Sequence, residues 1–390
     1  MTLTLSSSDI SEATVSPTQL TFTPDDWNQP RTVTVTGVDD AITDGSQSFQ
    51  IVMAKLSSGD PRYASFDPPD VAGVNLDDDQ MAVSTKVLSG ERNCVAVQLA
   101  VDQGGQIYVV MGCDDQILLT TSTDGGATFT AVTAIPNAVP TNGMSLAAGA
   151  PGLAYLVFAG DGNTLQLIRT SDGGATWSEP IKLSNAPDLA QVSAGQRTVF
   201  VVAHAPADGN AMVLWRSVNG GRSFSTTRLS DSSNVDATIG ADGQTAWLLQ
   251  LDGDQTLSKS TDAGATFTTF GSLQVDASSH LFGRTHLYAM PNDVQIVDLT
   301  DPTLPGTSVG LDGTSLLAAA VDGADDLTLL DLDGQNRLRA TRITPGTSPA
   351  VVQHTVGALP NAAAIAAISP KASAVAVLNG TLVLYTTVIW

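Results

Sequence analysis

Glutamate is almost missing from this 390-residue chain. Only Glu12, Glu91 and Glu179 occur, and every other acid is Asp. Glu favours helices, whereas Asp is a turn and calcium residue, so this usage points to an all-β, turn-rich protein. Bases are scarce as well: 17 Lys+Arg stand against 39 Asp+Glu, a formal net charge of −22. That balance argues against nucleic acid or an anionic membrane surface as partner, since both require a basic face. No run is long and apolar enough to span a bilayer as a helix, so no direct membrane insertion is expected. The four histidines, His204, His280, His286 and His354, show no HxH or HExxH spacing. A phosphate-binding Gly loop, a Ser/His/Asp signature and a Cys metal cluster are likewise lacking. The opening residues Met1-Thr-Leu-Thr-Leu-Ser read as a strand and not as a signal peptide, so the chain is either an intracellular protein or a piece of a longer exported one, and the second is the expectation.

Cysteine is limited to Cys94 and Cys113. The segments around them read as two strands joined at Asp102-Gln103-Gly104-Gly105. Reflection about the middle of that turn sets residue 94 opposite 113, so a cross-strand disulfide is one reading and two buried thiols the other. A bulge in either strand shifts the register by one. If formed, the bond favours an oxidising compartment.

What the chain has in quantity is Gly (35), Pro (19) and one turn motif in four copies. The copies are Ser122-Thr-Asp124-Gly-Gly-Ala-Thr128-Phe129, Thr170-Ser-Asp172-Gly-Gly-Ala-Thr176-Trp177, Ser217-Val-Asn219-Gly-Gly-Arg-Ser223-Phe224 and Ser260-Thr-Asp262-Ala-Gly-Ala-Thr266-Phe267. Their third residues lie 48, 47 and 43 positions apart. A period of this size marks one supersecondary unit repeated along the chain. Asp or Asn at a turn bonds its own backbone two residues on, and Gly supplies the positive φ of a tight reversal. The closing Phe or Trp is expected to begin the next strand and to pack its ring under the hairpin.

The motif resembles the Asp-box of sialidase-like (BNR) β-propellers. The resemblance implies that Asp124, Asp172, Asn219 and Asp262 are structural, each joining the two outer strands of a four-stranded blade at the rim. Units begin near 93, 143, 188, 234, 275, 314 and 361, of which the last three lack the box. Seven blades follow, with the strand 81–88 closing the ring as the fourth strand of the last blade. Six blades is the alternative, if 275–310 is irregular.

Residues 1–79 read differently. Leu20-Thr-Phe-Thr, Arg31-Thr-Val-Thr-Val-Thr-Gly-Val38 and Ser48-Phe-Gln-Ile-Val-Met53 alternate with period two, as half-buried strands do. With Trp27, Pro30 and the Val38-Asp39-Asp40 run in place, this stretch is similar to a bacterial Calx-β-type repeat, an immunoglobulin-like β-sandwich. The repeat's first two strands are missing, which leaves a sheet edge open. The expected organisation is therefore a partial sandwich over 1–79 and a propeller over 80–390.

Two acidic sets are candidate sites. The Calx-β resemblance implies calcium at Asp9, Asp39, Asp40, Asp44, Asp77, Asp78 and Asp79, because calcium takes six to eight oxygens and converging carboxylates repel without a cation. The family's early Glu ligand belongs to the missing strands, and Gln47 stands where a later Glu is expected. The propeller's second-to-third strand loops carry Asp114, Asp115, Asp161, Asp208, Asp252, Asp254, Asp293, Asp331 and Asp333. These read either as an acidic ligand face or as ordinary Asp-Gly turns.

Sialidase chemistry needs an arginine triad, a Tyr/Glu nucleophile pair and an Asp acid. Glu91 lies before the first blade and Glu179 at the rim. Arg169, Arg216, Arg222 and Arg228 sit on outer strands and boxes, and Arg197 and Arg284 in corners. The expectation is a non-enzymatic binding or adhesion module of a bacterial surface protein, monomeric within a longer chain. Its ligand is expected to be a glycan or a protein. A glycoside hydrolase and an assembly scaffold are the alternatives.

Overall fold

The computed structural model describes residues 1–38, 47–64, 66–75, 86–89, 92–136, 138, 144–160, 164–185, 190–205, 211–230, 235–240, 242–250, 256–272, 280–282, 286–289, 294–300, 307–310, 316–321, 325–332, 337–345, 350–357, 362–369, 372–379 and 382–389. Every regular element among them is a β-strand. The chain divides into two compact units, Met1–Met81 with Ile389–Trp390, and Ala82–Val388.

The first unit holds β1 (Thr2–Ser7), β2 (Ala13–Ser16), β3 (Gln19–Thr21), β4 (Thr34–Gly37), β5 (Gln47–Met53) and β6 (Val71–Asn75). They form a four-stranded sheet ordered β3-β1-β5-β6 and a two-stranded sheet β2-β4. Leu5, Ala13, Phe49 and Ile51 make one small core, with Leu3, Val15, Leu20, Val33 and Met53 packed against it. The period-two pattern of β5 is visible here: Phe49 and Ile51 are buried and the intervening Gln50 is exposed.

The second unit begins with β7 (Lys86–Val87). Sheet A holds β8 (Cys94–Val101), β9 (Ile107–Cys113), β10 (Gln116–Ser122) and β11 (Thr133–Ala134). Sheet B holds β12 (Ser145–Ala148), β13 (Ala154–Gly160), β14 (Thr164–Thr170) and β15 (Ile181–Ser184). Sheet C holds β16 (Gln191–Gly195), β17 (Thr198–Ala205), β18 (Ala211–Ser217) and β19 (Ser225–Ser230). Sheet D holds β20 (Val235–Ile239), β21 (Ala246–Gln250), β22 (Thr256–Ser260) and β23 (Thr268–Ser272). Sheet E holds β24 (His280–Phe282), β25 (His286–Ala289), β26 (Val294–Asp298) and β27 (Thr307–Val309). Sheet F holds β28 (Leu316–Val321), β29 (Leu327–Leu332), β30 (Leu338–Thr344) and β31 (Ala350–Gly357). Sheet G holds β32 (Ala362–Ser369), β33 (Ala372–Asn379) and β34 (Leu382–Ile389), with β7 as its fourth strand. The register there is Leu384↔Val87 and Tyr385↔Lys86. The described part of the 81–88 segment is thus a two-residue strand, and 81–85 lie outside the described residues. The stretch 275–310 contributes a four-stranded sheet, E.

Each sheet packs on the next. Ile107, Val109 and Met111 of β9 point to sheet G, while Tyr108 and Val110 point to sheet B. Tyr155 and Val157 face sheet C, while Ala154, Leu156 and Phe158 face sheet A. Further clusters join C with D, D with E and E with F. Thr328 meets Ser373 between F and G at 3.2 Å. This explains the sequence pattern: an inner strand covered on both faces reads as a continuous apolar run instead of alternating. Burial of each large side chain contributes about 1.5–3 kcal/mol.

Cys94 and Cys113 are joined by a disulfide. The pairs Val101↔Ile107 and Ala96↔Gly112 centre the hairpin on Gly104, half a residue later than sequence symmetry places it. The register shift between Cys94 and Ala96 then removes one residue and restores Cys94 opposite Cys113. Val95, at this bulge, is 54% exposed.

Candidate functional site

The four repeat turns share one hydrogen-bond pattern. In the first, Ser122 Oγ donates to Asp124 Oδ1 at 2.8 Å and accepts from Gly126 N at 2.9 Å. Thr128 donates its amide to Oδ1 at 2.8 Å and its hydroxyl to Oδ2 at 2.6 Å. Asp172 repeats this with Thr170 and Thr176, and Asp262 with Ser260 and Thr266. At Asn219 one bond is reversed: its Nδ2 donates to Ser223 Oγ at 2.8 Å. These bonds favour the ionised acid. The Thr128 hydroxyl, ahead of its amide and the Ser122 hydroxyl, lowers the Asp124 pKa to about 2. Asp172 is lowered chiefly by the Thr176 hydroxyl and Asp262 chiefly by the Ser260 hydroxyl.

Each turn also receives the preceding sheet. A Cβ on Gly126 would lie 2.2 Å from Tyr385 Oη of sheet G, and one on Gly174 would lie 2.7 Å from Leu119 Cδ2 of sheet A. A Cβ on Gly221 would lie 3.0 Å from Tyr155 Cε1 of sheet B, and one on Gly264 would lie 2.2 Å from Phe200 Cζ of sheet C. Polar side chains of the preceding sheet reach three of the turns. Lys86 donates to the carbonyls of Gly126 and Ala127, Gln106 to Gly173 O at 2.8 Å, and Arg216 to Ala263 O at 2.5 Å.

The closing aromatics reach beyond their own sheet. Phe129, Trp177, Phe224 and Phe267 pack in the seams with the preceding sheets. Phe129 meets Tyr385 edge-on, with centroids 4.6 Å apart. Two of them lead directly into the next strand, β19 starting one residue after Phe224 and β23 one after Phe267, whereas β11 starts four residues after Phe129 and β15 four after Trp177. An aromatic large enough to bridge two sheets buries a large apolar area in such a seam.

Of the acids read as calcium ligands, Asp9 is exposed and closes its own turn, accepting from the Ser11 amide at 3.0 Å and from the Ser11 hydroxyl. Those bonds, the hydroxyl first, lower its pKa. Asp39, Asp40, Asp44, Asp77, Asp78 and Asp79 lie outside the described residues. Among the described residues no group of three or more His, Cys, Asp or Glu converges as for a metal.

On the acidic loop face, Asp114 and Asp115 form the two-residue turn between β9 and β10, at φ 50° and 61°. Both are exposed; Asp114 accepts the Asn93 amide at 3.0 Å and lies 3.6 Å from Arg92 Nη1. Asp331 is a correction. It lies within β29, 1% exposed, and takes both oxygens to Arg339 at 3.0 and 2.6 Å, so it belongs to the packed interior and not to a ligand face. A strand apolar on both sides admits a carboxylate only with such a partner. Asp161, Asp208, Asp252, Asp254, Asp293 and Asp333 lie outside the described residues.

Sequence reasoning passed over Asp102, which ties two corners together. It accepts from the amides of Gly104 and Gln106, from Tyr108 Oη at 3.1 Å, and from Gly152 N of sheet B at 2.7 Å. Burial, with Asp102 beside it, pushes the Tyr108 hydroxyl well above its ordinary pKa. The only signal in the sequence was Asp-x-Gly, which reads as a turn. In the first unit, a recess of about 550 Å³ lies beside β5 and β6, lined by Ser8, Ser48, Phe49 and Gly73 among others.

Four-stranded antiparallel sheets stacked face to face, seven among the described residues, define a class of architecture that solved structures share. YCF48 bound to D1 peptide aligns with a TM-score of 0.53 at 14% identity, over 79% of this chain and 97% of that one. The β-propeller domain of Cps50 (Swd1) from Myceliophteria thermophila aligns at 0.52 and 11% identity, over 76% and 99%. A chain of the mitotic checkpoint complex aligns at 0.53 and 9% identity, over 80% and 98%. The fold is a β-propeller. No protein-family model matches the chain, and no curated protein matches it.

Proposed function

We propose that this chain is a non-enzymatic binding module of an exported bacterial surface protein. In this reading the propeller is seven-bladed and of the Asp-box kind, closed by β7 and preceded by a partial Calx-β-like sandwich. One observation carries the proposal. The repeat-turn acids are engaged by their own turn hydroxyls and amides, and the turn glycines and aromatics by the neighbouring sheet. Those residues make a rigid ring and leave recognition to loops such as Asp114-Asp115, which project exposed acids. The Cys94–Cys113 disulfide supports an oxidising, extracellular setting.

The ligand is a glycan or a protein, and the protein reading has one observation in its favour. A structure of the same fold, YCF48, is seen with a peptide bound. Screening the intact chain against a glycan array and a peptide library, alongside fluorogenic sialosides and other glycosides, tests the proposal. Saturable binding without turnover supports it; turnover lost in Asp→Asn loop variants replaces it with a glycoside hydrolase. Calcium held by the acids of the first unit belongs to the same proposal. A rise of the first melting transition in calcium over chelator, absent in Asp39→Asn with Asp77→Asn, supports it, and no rise removes it.

A further inference from the structure

The third repeat turn departs from the other three in one direction. Where they carry Asp and Ala, it carries Asn219 and Arg222, so a carboxylate is gone and a guanidinium has been gained. Two further arginines converge on the same place. Arg169 is the cross-strand partner of Tyr155 in sheet B, and Arg197 sits at the β16–β17 corner of sheet C, its carbonyl accepting from Gly220 N at 2.8 Å. A Cβ on Gly220 would lie 3.7 Å from Arg197 Nη2 and 3.8 Å from Tyr155 Oη, and one on Gly221 would lie 3.3 Å from Arg169 Cδ. The turn, both guanidinium stems and the tyrosine edge thus share one seam.

Two features set this seam apart. Tyr155 is fully buried, and its hydroxyl has no hydrogen-bond partner among the described residues. At the matching position in sheet A, Tyr108 donates to Asp102. A buried hydroxyl left unpaired costs free energy, so a group that accepts its proton is stabilised there. The three arginines, moreover, have no carboxylate partner among the described residues, although the chain carries more than twice as many acids as bases. Burial raises the Tyr155 pKa, and Arg169, Arg197 and Arg222 act on the same hydroxyl in the opposite sense.

We propose that the seam between sheets B and C binds one compact oxyanion, a sulfate, phosphate or carboxylate group, held by Arg197, Arg222 and Arg169 with Tyr155 Oη donating from beneath. Arg197 and Arg222 are exposed and Arg169 is half-buried, so two of the three guanidiniums are open to solvent at the mouth of the seam and the hydroxyl lies below them. Guanidinium forks match oxyanions geometrically, and a neutral phenol adds a donor without charge. Extended polyanions are not the ligand. The chain's net charge of −22 repels them, whereas at physiological salt the field of a local cluster acts within about 8 Å. The site lies at a repeat turn and is independent of recognition by the opposite loops.

The test is equilibrium dialysis of the intact protein with radiolabelled inorganic sulfate at constant ionic strength. Phosphate, acetate and a monosulfated N-acetylglucosamine serve as competitors. One saturable site is expected. Asn219→Asp with Arg222→Ala places at both positions the residues that the first two turns carry there, and should weaken binding at least about tenfold, the loss expected for one charge-assisted contact. Tyr155→Phe keeps the ring and should weaken it several-fold with the melting temperature maintained. Competition by the sulfated sugar below the concentration of free sulfate assigns the anion to a glycan; equal competition assigns the free ion. No saturable binding, or binding unchanged in the double variant, overturns the proposal.

Discussion

Gly125 and Gly126 are adjacent in one turn, and the structure gives them different reasons to be glycine. Both have positive φ, 68° and 89°, so alanine at either costs roughly 1–2 kcal/mol of backbone strain. Around Gly125 a Cβ would meet nothing within 4 Å; at Gly126 it would lie 2.2 Å from Tyr385 Oη and 2.5 Å from Cε1. Tyr385 is 1% exposed and packed edge-on against Phe129, so its ring has little room to retreat. Overpacking adds about 1–3 kcal/mol. Gly125→Ala should therefore cost roughly 1–2 kcal/mol, and Gly126→Ala roughly 2–5 kcal/mol. Urea and thermal denaturation of the two variants measure the difference. Repeating Gly126→Ala in a Tyr385→Leu background isolates the contact, and a coupling of about 1 kcal/mol or more is expected. Equal costs for the two glycines, or no coupling, would refute the claim that the turn glycine is the socket for the neighbouring sheet.

Acid stability should follow the turn carboxylates. Their folded pKa values are depressed, so their contribution is complete above the unfolded Asp value near 4 and is lost as pH falls through the folded value, about 2 for Asp124. Asp124→Asn should flatten melting temperature against pH in that window, and Asn219 shows that Asn fits the turn. Breaking the Cys94–Cys113 bond, which closes a separation of 19 residues, should destabilise sheet A by about 3 kcal/mol, read as a lower melting temperature in reductant that Cys94→Ser with Cys113→Ser no longer shows. Asp331→Ala removes the carboxylate facing the buried Arg339 guanidinium and should cost about 3–5 kcal/mol in denaturant. Asp331→Leu with Arg339→Met should recover most of that loss, because it leaves no buried charge.

The repeat was legible because turns are local. A hydroxyl, an Asp or Asn, and a second hydroxyl within seven residues are close enough to bond one another and the backbone between them, and the four copies do so in the structure. Strand alternation in β5 and the continuous apolar runs of β9, β13 and β17 were legible for the same reason, since each face of a strand follows from its own residues. What neighbours a turn is not local. That Gly126 receives Tyr385, 259 positions away in sequence, and that Phe129 meets the same ring in the seam between two sheets, depends on how whole sheets stack. Asp331 reads as a turn acid until Arg339 is placed across the strand from it. The disulfide shows both levels together. Sequence symmetry pairs Cys94 with Cys113, yet the hairpin is centred half a residue away, and a bulge at Val95 brings the sulfurs opposite one another. The arginines around Tyr155 are spread over three sequence segments, and only sheet-on-sheet packing gathers them at one hydroxyl.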